Sequence, residues 1–119
     1  MIGAFYRVYN TLGYGFLENV YTSALCLELL KLGIAFQREV SVPVSYEGQA
    51  IALYRADIVV EQRLLLEVKS CAAIGQADIR QLLNYLRATD LKVGLLLHFG
   101  PKPAFYRRVS TVKAINSQS

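Results

Sequence analysis

The chain has 119 residues, 54% of them hydrophobic and 18% charged, with a net charge of +4. That length fits a single domain over residues 1–119 with one core, and excludes a chain that needs disulfides or metal merely to fold. No apolar run approaches the ~20 residues of a membrane-spanning helix, which argues against a membrane partner.

Residues 2–11 form the first expected helix, because Ile2, Phe5, Val8 and Tyr9 follow the i, i+3, i+4 pattern. Leu12-Gly13-Tyr14-Gly15 breaks it with two glycines in three residues. The start carries no basic segment or cleavage site of a secretory signal. Residues 16–32 are the clearest helix. Leu17, Val20, Ala24 and Leu27 give its leading apolar stripe, widened by Tyr21, Leu25 and Leu29, and Gly33 is its stop signal. Glu18 falls in the first turn, where a carboxylate also suits the helix dipole.

Residues 35–46 alternate as a strand, with Pro43 arguing for an edge or an irregular end. Glu47-Gly48-Gln49 is a turn, residues 50–60 a second strand carrying Asp57, Glu61-Gln62-Arg63 a tight turn, and residues 64–70 a third strand carrying Glu67 and Lys69. Three strands joined by short turns make an antiparallel meander. Residues 76–88 give an amphipathic helix on which Gln81 and Tyr85 share a face. Residues 92–99 read as a buried strand, residues 105–112 as an edge strand and residues 115–119 as a frayed tail. The sum is an α/β (α+β mixed) fold, a central mixed sheet with helices against it.

Cys26 and Cys71 have no metal-type spacing and read as reduced thiols of a cytoplasmic protein. His98, the sole histidine, lies at the end of a buried strand and reads as structural. No serine or cysteine has a histidine relay, and no glycine loop has the phosphate-binding pattern. The apolar surplus points to a large core or a covered surface, and hence to a homodimer. The positive balance permits a polyanion partner.

The chemistry concentrates on Asp57, Glu67 and Lys69. Residues two apart in a strand share a face, so Glu67 and Lys69 project together from a run that is otherwise Leu64, Leu65, Leu66 and Val68. Burying such groups is costly unless they pair or hold a metal. Both readings stand at this point: an ion pair, or a site for metal-assisted phosphodiester hydrolysis. In the second, Asp57 and Glu67 hold Mg²⁺, which prefers oxygen ligands, few carboxylates and several waters. Glu18 adds a further ligand, Lys69 orients water or neutralises phosphate charge, and Gln81 fixes the nucleophile. Tyr21, Tyr85 and Arg55, beside Asp57, position substrate.

Gly15-Phe16-Leu17-Glu18-Asn19-Val20-Tyr21 resembles the signature of the GxxExxY proteins. Tyr54-Arg55-Ala56-Asp57, Leu66-Glu67-Val68-Lys69, Gln81 to Leu86 and Val93 to Gly100 resemble the rest of that family in the same order, over residues 2–109. The family looks like a branch of the PD-(D/E)xK nuclease-like superfamily. The resemblance implies a restriction-endonuclease-like core with the acid–acid–lysine set on a β-hairpin, Glu18 as the first-helix acid, Asp57 as metal acid, Glu67 and Lys69 as the ExK pair, and Gln81 with Tyr85 as the helix element. It also implies a nuclease acting on nucleic acid, DNA ahead of RNA, with Mg²⁺ as cofactor and Mn²⁺ as its substitute. A non-catalytic binding or assembly module with the same fold is the alternative. Tyr9, Tyr14 and Asp78 depart from the residues expected in relatives (His, Pro and His). Of these, Asp78 bears on metal or phosphate contacts.

Overall fold

The computed structural model describes residues 1–111. Helices α1 (Ile2–Leu12) and α2 (Glu18–Lys31) precede a hairpin of β1 (Phe36–Tyr46) and β2 (Gln49–Val60). Then come β3 (Leu64–Lys69), α3 (Gln76–Arg87), β4 (Val93–Phe99) and β5 (Pro103–Val109). The sheet order is β1-β2-β3-β4-β5. The β3–β4 pair is parallel and the others antiparallel. A parallel pair needs a crossover, and α3 supplies it. The expected mixed sheet flanked by helices is therefore the observed fold. Residue 112 of the expected edge strand, and the tail expected over 115–119, lie outside the described residues.

Helices α1 and α2 cover one face of the sheet. Phe5, Val8, Tyr21, Leu25 and Leu29 pack there on Ile58, Leu66, Val68, Leu97 and Phe99. Helix α3 covers the other face, where Leu82 and Leu86 meet Ala56, Val59, Leu65 and Leu96. Gly94 sets its approach, since a Cβ there would lie 2.9 Å from Leu82 Cδ1 and 3.3 Å from Leu86 Cδ1. Among the described residues no helix is long and apolar enough to cross a membrane.

The buried face of α2 differs from the expected leading stripe. Tyr21, Thr22, Leu25, Cys26, Glu28 and Leu29 are buried, whereas Leu17 is 78% and Leu27 60% exposed. Leucines occur on nearly every side of this helix, so spacing alone does not select a face. Tertiary partners select it. Phe99 stacks on Tyr21, and Arg7 of α1 bonds Glu28 Oε1 at 2.9 Å. That Arg7 bond, joined by Lys31, holds the Glu28 carboxyl below the ordinary carboxylate range against the effect of its burial.

Both hairpin turns use left-handed backbone, at Glu47 and Gly48 and at Glu61 and Gln62. That is the twist-matched form for the two-residue Glu47–Gly48 loop, while the β2–β3 loop has three residues, Glu61, Gln62 and Arg63, between the paired Val60 and Leu64. Strand β1 is an edge strand, as Pro43 suggested, and its register shifts just beyond it, between Val44 and Ser45.

Candidate active site

A local break in strand regularity positions Asp57. Residues two apart in a strand should share a face, yet Ala56 packs in the α3-side cluster and Ile58 in the α1/α2-side cluster. The phase of β2 therefore slips at Asp57. In β1, the pairs Arg38–Ile58 and Val40–Ala56 flank Glu39, whose φ is +56°. The hairpin bends at this one level. There β2 also parts from β3, because their pairing spans only Val60–Leu64 to Ile58–Leu66. Asp57 Oδ2 then accepts the Val68 N–H at 2.7 Å, giving a donor beyond the β2 ladder its partner.

Glu67 and Lys69 do share a face, the one covered by α3. Lys69 Nζ donates to Gln81 Oε1 at 3.5 Å and lies 4.0 Å from Asp78 Oδ1. Asp78 Oδ2 accepts the Gly75 N–H at 2.9 Å, capping α3 and fixing the helix that carries Gln81. The buried Glu67 takes a hydrogen bond at Oε1 from the Tyr54 hydroxyl. The Tyr54 ring stacks on that of Tyr85 from α3. Tyr54 thus links the bent hairpin, the third strand and the crossover helix. Its flanking motif residues were visible in the sequence, but its own function depends on the bend.

Glu18 enters from the start of α2. Its Oε2 accepts the Ser70 N–H at 3.4 Å, and its charge adds to the burial that raises the Asp57 pKa. Ser70 Oγ donates to the Phe16 carbonyl at 2.5 Å. The end of β3 is therefore clasped to the segment before α2.

Two candidate positioning residues lie elsewhere. Tyr21 is wholly buried, with its hydroxyl donating to the Gly13 carbonyl at 2.6 Å and accepting the Phe16 N–H at 3.2 Å. It shapes the loop before Glu18. Arg55 is exposed and faces Glu39 at 3.8 Å, because neighbours in a strand point to opposite faces and Tyr54 takes the inner one. The structure thus brings together Asp57, Glu67, Lys69, Gln81, Tyr85 and Glu18, adds Tyr54 and Asp78, and leaves Tyr21 and Arg55 outside. His98 is buried and donates from Nε2 to the Cys71 carbonyl at 2.7 Å, a structural contact. Cys26 and Cys71 are both free thiols.

The site carries an excess of carboxylate. Burial, then the Asp57 charge, push Glu67 up to about 7, against the Tyr54 hydrogen bond and Lys69. Burial also raises Asp57, and the Val68 N–H and Lys69 oppose it. The Tyr54 phenol is held protonated by burial and by the Glu67 charge. Four carboxylates, Asp57, Glu67, Glu18 and Asp78, beside a single lysine leave room for a cation's charge. Asp57 Oδ1 makes no hydrogen bond among the described residues. No three carboxylate, histidine or cysteine groups among them converge as a ready cage. The donor set therefore fits a hard divalent ion held by two carboxylates and water rather than a closed structural site.

A family profile described as the PD-(D/E)XK nuclease superfamily matches residues 1–109. Among solved proteins, "Crystal structure of SSO0001" shares the fold at a TM-score of 0.57 and 21% identity, over 82% of this chain and 52% of that one. At that identity the likeness concerns fold alone, and the chain spans about half the length of that protein. No curated protein matches the chain.

Proposed function

This chain belongs to the PD-(D/E)XK nuclease superfamily, and from that premise we propose that it is a Mg²⁺-dependent nuclease hydrolysing phosphodiester bonds, with DNA ahead of RNA as substrate. The observation that carries the reading is the meeting of Asp57, Glu67 and Lys69 where β2 parts from β3, with Lys69 turned to Gln81 and Asp78 instead of closing onto Asp57. A buried ion pair kept only for structure would neutralise its carboxylates, and apolar replacement would stabilise it further.

Asp57 and Glu67 would hold the ion, with Glu18 as a further acid; Mn²⁺ would substitute for Mg²⁺. When bound, the cation supplies Lewis acidity toward the phosphate and acidifies water. The Val68 N–H and the Tyr54 hydroxyl each fix one oxygen of a metal acid, which orients both carboxylates before any ligand arrives. Lys69 has three donor directions. Gln81 takes one and Asp78 attracts another, leaving one for a phosphate oxygen or the attacking water.

The finer assignment to the GxxExxY proteins is also part of the proposal. Each letter of that run has a physical use here: Gly15 adopts φ +112°, Glu18 faces Ser70 and Asp57, and Tyr21 ties down the loop. Exposed Leu27, Leu30 and Leu32 support a homodimer through the C-terminal half of α2.

The test is cleavage of single- and double-stranded DNA and RNA by the pure protein with Mg²⁺ or Mn²⁺. Asp57→Asn and Lys69→Ala should each abolish it while thermal unfolding stays cooperative. Failure of the wild type to cut any of these substrates would refute the reading.

A further inference from the structure

We infer that the Gly13–Leu17 loop is a stacking platform for an unpaired nucleobase, so that the site acts on single-stranded or frayed nucleic acid. The inference rests on the nuclease reading and names its substrate class.

Tyr14 and Phe16 project from this loop and are 49% and 46% exposed. Exposed aromatic rings on a connecting loop lose apolar burial, and a loop that only joined two helices would not need them. Gly13 and Gly15 flank Tyr14 at φ +73° and +112°, a backbone that side-chain-bearing residues rarely adopt.

The loop is fixed by its own contacts. Tyr21 hydroxyl bonds Gly13 and Phe16, the Phe16 ring packs edge-on to Tyr21, and Ser70 Oγ bonds the Phe16 carbonyl. A platform held in place before the ligand arrives spends little ordering entropy on binding. Tyr14 itself makes no hydrogen bond, ion pair or ring contact among the described residues. Its ring is free to receive a planar partner.

Its location selects that partner. Ser70, which clasps the loop, follows Lys69 directly, and Glu18, which bonds Ser70, stands two residues beyond Phe16. Those contacts put the loop at the end of β3, beside the residue that follows Lys69, so a strand entering the site from that end passes this loop. Sequence-tolerant recognition of unpaired bases combines these two parts, a charged contact to the backbone and an aromatic face for the base. A duplex keeps its bases stacked on each other and offers the ring no free face.

The experiment is fluorescence anisotropy in EDTA, which separates binding from cleavage. The probes are a labelled oligothymidine strand of roughly twenty nucleotides and a blunt duplex of the same length. Tyr14→Ala should weaken single-strand binding by about 5- to 100-fold and leave the duplex unchanged, and Tyr14→Trp should restore the loss. If the wild type binds and cuts but Tyr14→Ala alters neither affinity, the platform is refuted and the nuclease reading survives. If the wild type binds no nucleic acid and cuts none, both fall. If Tyr14→Ala instead converts a dimer to a monomer by light scattering, the loop is a contact between copies and the inference is overturned.

Discussion

Replacing Glu67 by Gln should stabilise the metal-free protein while removing its activity. The Glu67 carboxyl goes from an ordinary 4.5 to about 7 in the folded chain, through burial and the Asp57 charge. Between those values the folded state binds more protons than the unfolded one. Wild-type stability therefore falls as pH rises through that window and levels off above it. The full difference is on the order of 3 kcal/mol, from about 1.4 kcal/mol for each pH unit. Glutamine cannot ionise, and its carbonyl oxygen still accepts from Tyr54. Its amide protons need a partner, which returns part of the gain. The net expectation at pH 8 in EDTA is about 2 kcal/mol of added stability, or roughly 5–10 °C in Tm. At pH 4.5 the two proteins should unfold within about 1 kcal/mol of each other. Thermal unfolding by circular dichroism across this pH range reads both effects. Parallel pH curves for wild type and Glu67→Gln, or a variant less stable than wild type at pH 8, would refute the reasoning. Adding Mg²⁺ should raise the Tm of the wild type alone, because a ligand stabilises only the state that binds it.

Tyr54→Phe keeps the stack on Tyr85 but removes the donor to Glu67; Mg²⁺-dependent cleavage should fall about tenfold, with half-activation moving to higher Mg²⁺ in a metal titration. Gly100→Ala should cost about 1–3 kcal/mol in urea unfolding, since its Cβ would sit 2.5 Å from the His98 ring and 3.0 Å from the Cys71 carbonyl. An unchanged midpoint would show that the turn yields freely. Leu27→Glu should convert the proposed homodimer to a monomer by light scattering while the monomer still unfolds cooperatively, because Leu27 is exposed within the single chain.

The β1–β2–β3 meander and a mixed sheet with helices against it followed from turn residues and strand alternation, whereas the parallel seating of β4 beside β3 came only from the fold. The pairing of Glu67 with Lys69, and of Gln81 with Tyr85, followed from periods of two and four residues. What spacing did not carry was anything dependent on which surface a neighbour covers. Helix α2 is apolar on most sides, so its buried stripe was set by Phe99 and Arg7, both far away in sequence. Glu39 adopts left-handed backbone without the glycine or asparagine that would announce it, and so the bend that frees Asp57 left no mark in the residue pattern. Tyr54 was readable as a strand aromatic, but its bond to Glu67 depends on that bend. Asp78 departs from the residue expected in relatives, but its capping of Gly75 carries no separate sequence signal because it depends on where α3 starts.

The Tyr54–Tyr85 stack also makes the site optically visible. The chain has eight tyrosines and no tryptophan, so tyrosine chromophores are not masked in the near ultraviolet. Two phenol rings stacked at an interplanar angle of 15°, one of them bonded to a carboxylate, form a chiral, electronically coupled pair. Their near-ultraviolet dichroism follows the hairpin, the third strand and the crossover helix at once. A change in that band on adding metal, lost in Tyr85→Phe and with the far-ultraviolet spectrum constant, reports rearrangement at the Tyr54–Tyr85 pair without any attached label.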